Sequence, residues 1–126
     1  VDSAVIIILR RSEDEMELSI IGKDRTLEIQ LKGELDHHGA KGLLTQMDLA
    51  IERYVPRVLT MDFGGVTFMD SSGIAVVLRG WQRMRELGGQ MHLTHVAAQP
   101  RKVFEAAGVG RMMTINAGEE TEYAAH

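Results

Sequence analysis

From Thr26 to Lys32 apolar and polar residues alternate strictly. Leu27, Ile29 and Leu31 fall on one side and Glu28, Gln30 and Lys32 on the other, the period of a half-buried strand. Glu17–Ile21 is a second β-prone stretch, joined to the first through the turn-forming Gly22-Lys23-Asp24-Arg25. Gly33-Glu34-Leu35-Asp36 then leaves the strand, and the apolar spacing becomes helical. Leu43, Leu44, Met47, Ala50, Ile51 and Tyr54 predict a helix over about 39–54, stopped by Pro56. Val58–Phe63 reads as a buried strand. After Gly64-Gly65 and the segment Asp70-Ser71-Ser72-Gly73, the residues Ile74, Val77, Leu78, Trp81 and Met84 mark a second helix that stops at Gly88-Gly89. Gln90–Thr94 is the next strand. Pro100 opens a third helix with Val103, Phe104 and Ala107 on one face, ending at Gly108. A short strand is expected over Arg111–Ile115 and a frayed helix over Glu119–Ala125. The order ββαβαβα predicts an α/β fold: a mixed β-sheet, antiparallel at its start and parallel afterwards, with helices packed on it.

The length of 126 residues fits one domain. A chain of this size buries roughly 65–70% of its unfolded surface and needs no staples. A net charge of −4, and only six aromatics (one Trp, two Tyr, three Phe), argue against nucleic acid as a partner. The absence of cysteine excludes disulfides and thiolate metal sites, and is compatible with a cytoplasmic location. The longest apolar run, Ala4–Leu9, is far short of the ~20 residues of a membrane span. Arg10 and Arg11 follow that run rather than precede it, so neither a signal peptide nor a membrane partner is expected. Residues 10–15 are all charged or polar and Met16 is a sensible start. Residues 1–15 are therefore expected to be an appended or upstream segment, poorly ordered, with the domain at 16–126. The alternative is an extra edge strand over Val5–Leu9.

Asp70-Ser71-Ser72 carries the most chemical information. It joins an apolar strand to an amphipathic helix, where free backbone N–H groups and the helix dipole favour negative charge. One of the three residues capping the helix is the plain reading. A serine that accepts phosphate is the functional one. A hydrolase serine would need a base and an oxyanion hole. His92 and His95 are three positions apart on one strand and so should face opposite sides, and the Gly-x-Ser-x-Gly elbow is absent. Asp36-His37-His38 lacks further ligands at metal-binding spacing and reads as a solvated loop leading into the first helix. Gly64-Gly65 lacks the Lys and Ser/Thr of a phosphate loop, so a nucleotide-handling enzyme is disfavoured. No enzymatic activity, metal or cofactor is expected.

Gly33-Glu34-Leu35-Asp36-His37-His38, Val66-Thr67-Phe68-Met69-Asp70-Ser71-Ser72-Gly73 and Gly88-Gly89-Gln90-Met91 together resemble the anti-sigma factor antagonists, single STAS domains, nearest to the sporulation anti-sigma F type. The resemblance covers about 16–113. It implies a cytoplasmic partner switch in bacterial transcription control. The unphosphorylated protein binds an anti-sigma factor that is also a serine kinase, which frees the sigma factor. Phosphorylation of the first serine of the motif, Ser71, ends binding, and a serine phosphatase reverses it. By the same resemblance Glu34, Asp36, His37, His38, Met69, Asp70, Ser72, Gly73 and Ile74 form the partner-binding surface. A STAS interaction module of another signalling or transporter complex is the alternative. The segment before Met16 has no counterpart in the family pattern, and the part after Ile115 is shorter and more polar than the usual last helix.

Overall fold

The structure, a computed structural model, describes residues 3–8 and 16–117. Six strands lie side by side in sequence order: β1 (Ser3–Ile8), β2 (Glu17–Lys23), β3 (Thr26–Leu35), β4 (Val58–Met69), β5 (Gln90–Val96) and β6 (Thr114–Ala117). β1, β2 and β3 are antiparallel neighbours, and β3 through β6 run parallel. The parallel strands are linked by α1 (His37–Tyr54), α2 (Ser72–Glu86) and α3 (Ala98–Ala106), the last followed by a short 3-10 turn at Val109–Arg111. The expected ββαβαβα core is present. Residues 119–125 lie outside the described ones.

Ser3–Ile8 pairs with β2 from Ser3↔Gly22 to Ile8↔Glu17, an edge strand as in the alternative given for Val5–Leu9. Four consecutive β-branched residues, Val5 to Ile8, favour an extended chain, and β2 offers them an otherwise unpaired edge.

Burial alternates along the strands. Leu18, Ile20, Leu27, Ile29, Leu59, Met61, Phe63 and Leu93 are buried towards the helices. Ser19, Glu28, Thr60, Asp62, His92 and Thr94 lie between them on the other face, only half-buried. All three helices thus cover one face, and the opposite face is polar.

The β2–β3 hairpin is tighter than the four-residue turn expected. Only Asp24 and Arg25 form the loop, with φ of 50° and 64°, as a two-residue turn matched to strand twist requires. Gly22 belongs to β2, where the Tyr54 ring from the end of α1 packs over it and leaves no room for a Cβ.

β3 and β4 also outrun their expected ends, with consequences for the site. β4 continues through Gly64-Gly65 to Met69, and β3 continues to Leu35. They stay paired to Leu35↔Met69 across two bulges. The loops that follow, at Asp36 and Asp70, therefore leave adjacent strands at one end of the sheet. α2 closes at the expected place. Gly88, at φ 72°, donates to the Arg85 carbonyl (3.0 Å) and Gly89 to that of Met84 (2.8 Å). On the outer side of α1 and α2, the Asp48 carboxylate accepts from Arg79 Nε and Arg83 Nη1, both at 3.2 Å.

Candidate functional site

The Asp70 N–H donates to the Leu35 carbonyl (3.3 Å), so the β3–β4 ladder holds until the loop begins. Each loop then starts a helix on an aspartate. Asp36 Oδ1 accepts from the Gly39 N–H (3.0 Å) and caps α1. Asp70 Oδ1 accepts from the Ser72 N–H (2.8 Å), and the Asp70 carbonyl takes the Gly73 N–H (3.1 Å). Asp70 therefore does the capping work for α2. Ser71 already has helical angles (φ −63°, ψ −15°), makes no side-chain capping bond and is exposed. The two open readings of the serine pair separate here: the carboxylate is the cap, and the Ser71 hydroxyl is left at the surface over an N-terminal turn.

The other expected site residues divide into a surface set and a buried set. His37 and His38 are exposed, with ring centroids 5.9 Å apart, but they occupy the first turn of α1 rather than a loop. The Asp36 cap starts the helix two residues before the apolar periodicity can reveal it. Glu34 and Asp36 are half-buried, as are Ser72 and Ile74, the latter packed against the core. Met69 and Gly73 are buried, so neither presents a side chain to a partner. Met69, 0% exposed, lies beneath the first turn of α2. A Cβ at position 73 would lie 2.5 Å from Met69 Sδ and 3.1 Å from Leu35 Cδ2, so a glycine is what lets α2 begin this close to β4.

Two residues near the loop escaped the sequence. Phe68 is 44% exposed, directly before Met69. The bulge pairs Gly33 with Val66 and Glu34 with Phe68, skipping Thr67, and so turns Phe68 outward. Counted from the buried Val66, alternation would have placed Phe68 inside. Gln99 in the first turn of α3 holds the Met69 backbone: its Oε1 accepts from the Met69 N–H (2.9 Å) and its Nε2 donates to the Met69 carbonyl (2.7 Å). A contact across thirty positions leaves no signal in local spacing.

His95 has φ 55° and its Nδ1 lies 3.2 Å from Asp62 Oδ1. The left-handed residue breaks the alternation of β5 and brings His95 to the polar face that His92 also occupies, contrary to the expected opposite facing. Among the described residues no three metal-ligating side chains cluster, and no helix is long and apolar enough to cross a membrane.

If the Asp36 cap holds α1 as its geometry indicates, Asp36→Ala should lower stability by ~1 kcal/mol and Asp36→Asn by much less. Urea unfolding of the two variants measures this. Equal losses would mean the carboxylate acts other than as a cap.

Comparison with known proteins adds to this geometry. Residues 19–115 match the family model described as "Mlab, STAS domain". The anti-sigma F factor antagonist of Lysinibacillus sphaericus is 34% identical over 95 residues, covering 75% of this chain and 80% of that protein. That of Paenibacillus polymyxa is 32% identical over 87 residues, covering 69% and 74%. The unphosphorylated anti-sigma factor antagonist SpoIIAA superposes with a TM-score of 0.66 at 26% identity, covering 96% of this chain and 93% of that one. The Bacillus cell fate determinant SpoIIAA in its phosphorylated form gives 0.61 at 26% identity, covering 98% of both chains. An anti-sigma factor antagonist from Mycobacterium paratuberculosis, at 16% identity, shares the fold with a TM-score of 0.75 over 90% of this chain and 96% of its own.

Proposed function

The chain belongs to the STAS-domain family of anti-sigma factor antagonists, and from that membership we propose that it is a cytoplasmic partner switch controlled by phosphorylation of Ser71. In the unphosphorylated state it binds an anti-sigma factor that is also a serine kinase, and the sigma factor is released. The kinase transfers the γ-phosphoryl group of ATP to Ser71 Oγ. The new P–O bond forms as the bond to ADP breaks, and the hydroxyl proton leaves. The modified protein dissociates, and a serine phosphatase hydrolyses the Oγ–P bond to restore the hydroxyl and inorganic phosphate. The kinase and the phosphatase supply the chemistry; this chain supplies the acceptor and the docking surface.

The observation that carries this reading is the exposed Ser71 hydroxyl with no capping bond, freed because Asp70 caps α2 in its place. A phosphate at Ser71 gains from the start of α2 and is repelled by the Asp70 carboxylate. It brings roughly −1.5 to −2 charges into a surface bounded by Glu34, Asp36, His37, His38, Ser72 and Ile74. Met69 and Gly73 shape that surface from below. A standard docking patch of ~800 Å² is about a tenth of the chain's 7357 Å².

A second reading keeps the same surface but gives it another partner, such as a subunit of a transport complex. The matched family model is described by the STAS domain alone, a class broader than the anti-sigma factor antagonists. Incubation with an anti-sigma F serine kinase and ATP, followed by peptide mass spectrometry, separates the two. The tryptic fragment Val58–Arg79 contains Thr60, Thr67, Ser71 and Ser72, so fragmentation locates the phosphate. Phosphate on Ser71 is expected. An unmodified fragment, with the kinase active on a control substrate, would leave the second reading.

A further inference from the structure

β5 accompanies β4 only as far as Asp62↔Thr94, whereas β4 runs on to Met69. Beyond that point β3 still pairs with β4 on one side, and the other side has lost its strand. In an extended chain the N–H and C=O of one residue point to the same side, and those of the next residue to the other. Asp70 donates towards β3, to Leu35, so both polar groups of Met69 point to the side β5 has vacated. The Gln99 carboxamide fills that place, one atom accepting and one donating as a strand neighbour would.

We infer that Gln99 is a positioning residue for phosphoryl transfer to Ser71, an inference that rests on the reading of Ser71 as the acceptor. Its leverage comes from the peptide joining Met69 to Asp70. The carbonyl of that peptide accepts from Gln99 Nε2, and its N–H donates to the Leu35 carbonyl. A peptide group is planar, so bonds from both sides fix its orientation. The Asp70 Cα follows directly, and its carboxylate holds the Ser72 N–H. Ser71 sits between these two fixed residues with its hydroxyl outside. α3 thus sets the direction in which the acceptor is offered, although it contributes no atom to it. α3 is itself anchored by Phe104, whose ring meets Phe63 of β4 edge to face at 5.3 Å.

Losing this hold should lower the rate of transfer more than binding, because misplacement of a reacting atom by about 1 Å can reduce a rate by ~10²-fold. Gln99→Ala removes both bonds. Gln99→Glu retains an acceptor for the Met69 N–H but sets a carboxylate oxygen against the Met69 carbonyl, and it controls for loss of side-chain bulk. Two measurements are made on the full chain. The first is amide hydrogen exchange at Met69 and Asp70, which needs no kinase. The second is kcat and KM for phosphorylation by an anti-sigma F serine kinase with ATP.

In Gln99→Ala, exchange at Met69 should rise about tenfold, the factor of roughly one hydrogen bond, while Leu59 and Met61 keep their protection. In both variants kcat should fall tenfold or more with KM within twofold of the parent. Unchanged exchange at Met69, or a raised KM with kcat intact, would overturn the positioning role. A parent chain left unphosphorylated at Ser71 by an active kinase would overturn the functional reading itself, and the exchange data would still decide whether Gln99 holds the loop.

Discussion

Ser71→Asp should abolish capture of the anti-sigma kinase, while Ser71→Ala should bind like the parent chain. The substituted carboxylate would stand beside Asp70, on a surface that also includes Glu34 and Asp36. On docking it must be desolvated or set against the partner's own charge pattern. Misplaced or unpaired charges at an interface cost about 2–5 kcal/mol, or about thirtyfold to several thousandfold in Kd. A phosphate carries more charge than a carboxylate, so the variant gives a lower bound on the natural effect. The fold should not register either change. Ser71 is exposed and caps nothing, so thermal stability should shift by less than about 0.5 kcal/mol. Titration calorimetry with the kinase, alongside melting curves, makes the test. Equal affinity of both variants, each folded, would remove the switch from Ser71.

Phe104→Ala should have the largest effect on stability, a loss of about 3–5 kcal/mol. The side chain is 0% exposed and packs edge to face on Phe63, also 0% exposed. Truncation removes the buried area and the ring contact and leaves a cavity that the sheet cannot close. Among the described residues, the nine-residue α3 buries only Pro100 and Phe104, with Val103 partly buried against the core, so Phe104 is its largest apolar anchor. Phe104→Leu keeps most of the volume and should cost about 1–1.5 kcal/mol. Chemical denaturation of the pair is the measurement. A loss below 1 kcal/mol for Phe104→Ala would show α3 to be held by other means. Because α3 carries Gln99, any Phe104→Ala protein that remains folded should also show faster exchange at Met69.

The order of elements could be read from periodicity because each buries one face. Leu27, Ile29 and Leu31 recur every second residue, and Leu43, Met47 and Ile51 every fourth, and each set meets the same core. α2 was read less well. Its buried stripe includes Gly73 and Gly80 beside Val76, Val77 and Met84. Glycines add nothing to an apolar count, yet they mark where the helix comes closest. A Cβ at Gly80 would meet Met91, Met47 and Leu59 within 3.0–3.3 Å. Trp81, one of the apolar positions that mark this helix, lies at the margin of the core with the Arg85 guanidinium 4.9 Å over its ring. Gly64-Gly65 and Gly33 suggested strand ends because glycine usually does, but here they accommodate bulges inside continuous strands.

By itself, then, the sequence determined the α/β class, the succession of elements and the motif that holds the proposed acceptor, Ser71. These follow from local periodicity and from residue types at adjacent positions. Only the tertiary structure decided which side chain caps α2, that Met69 is buried while Phe68 faces out, and that Gln99 holds the loop from thirty residues away. Each of those depends on register across strands or on contacts between distant segments. A one-residue bulge or a single long-range hydrogen bond changes the outcome there without changing the local pattern.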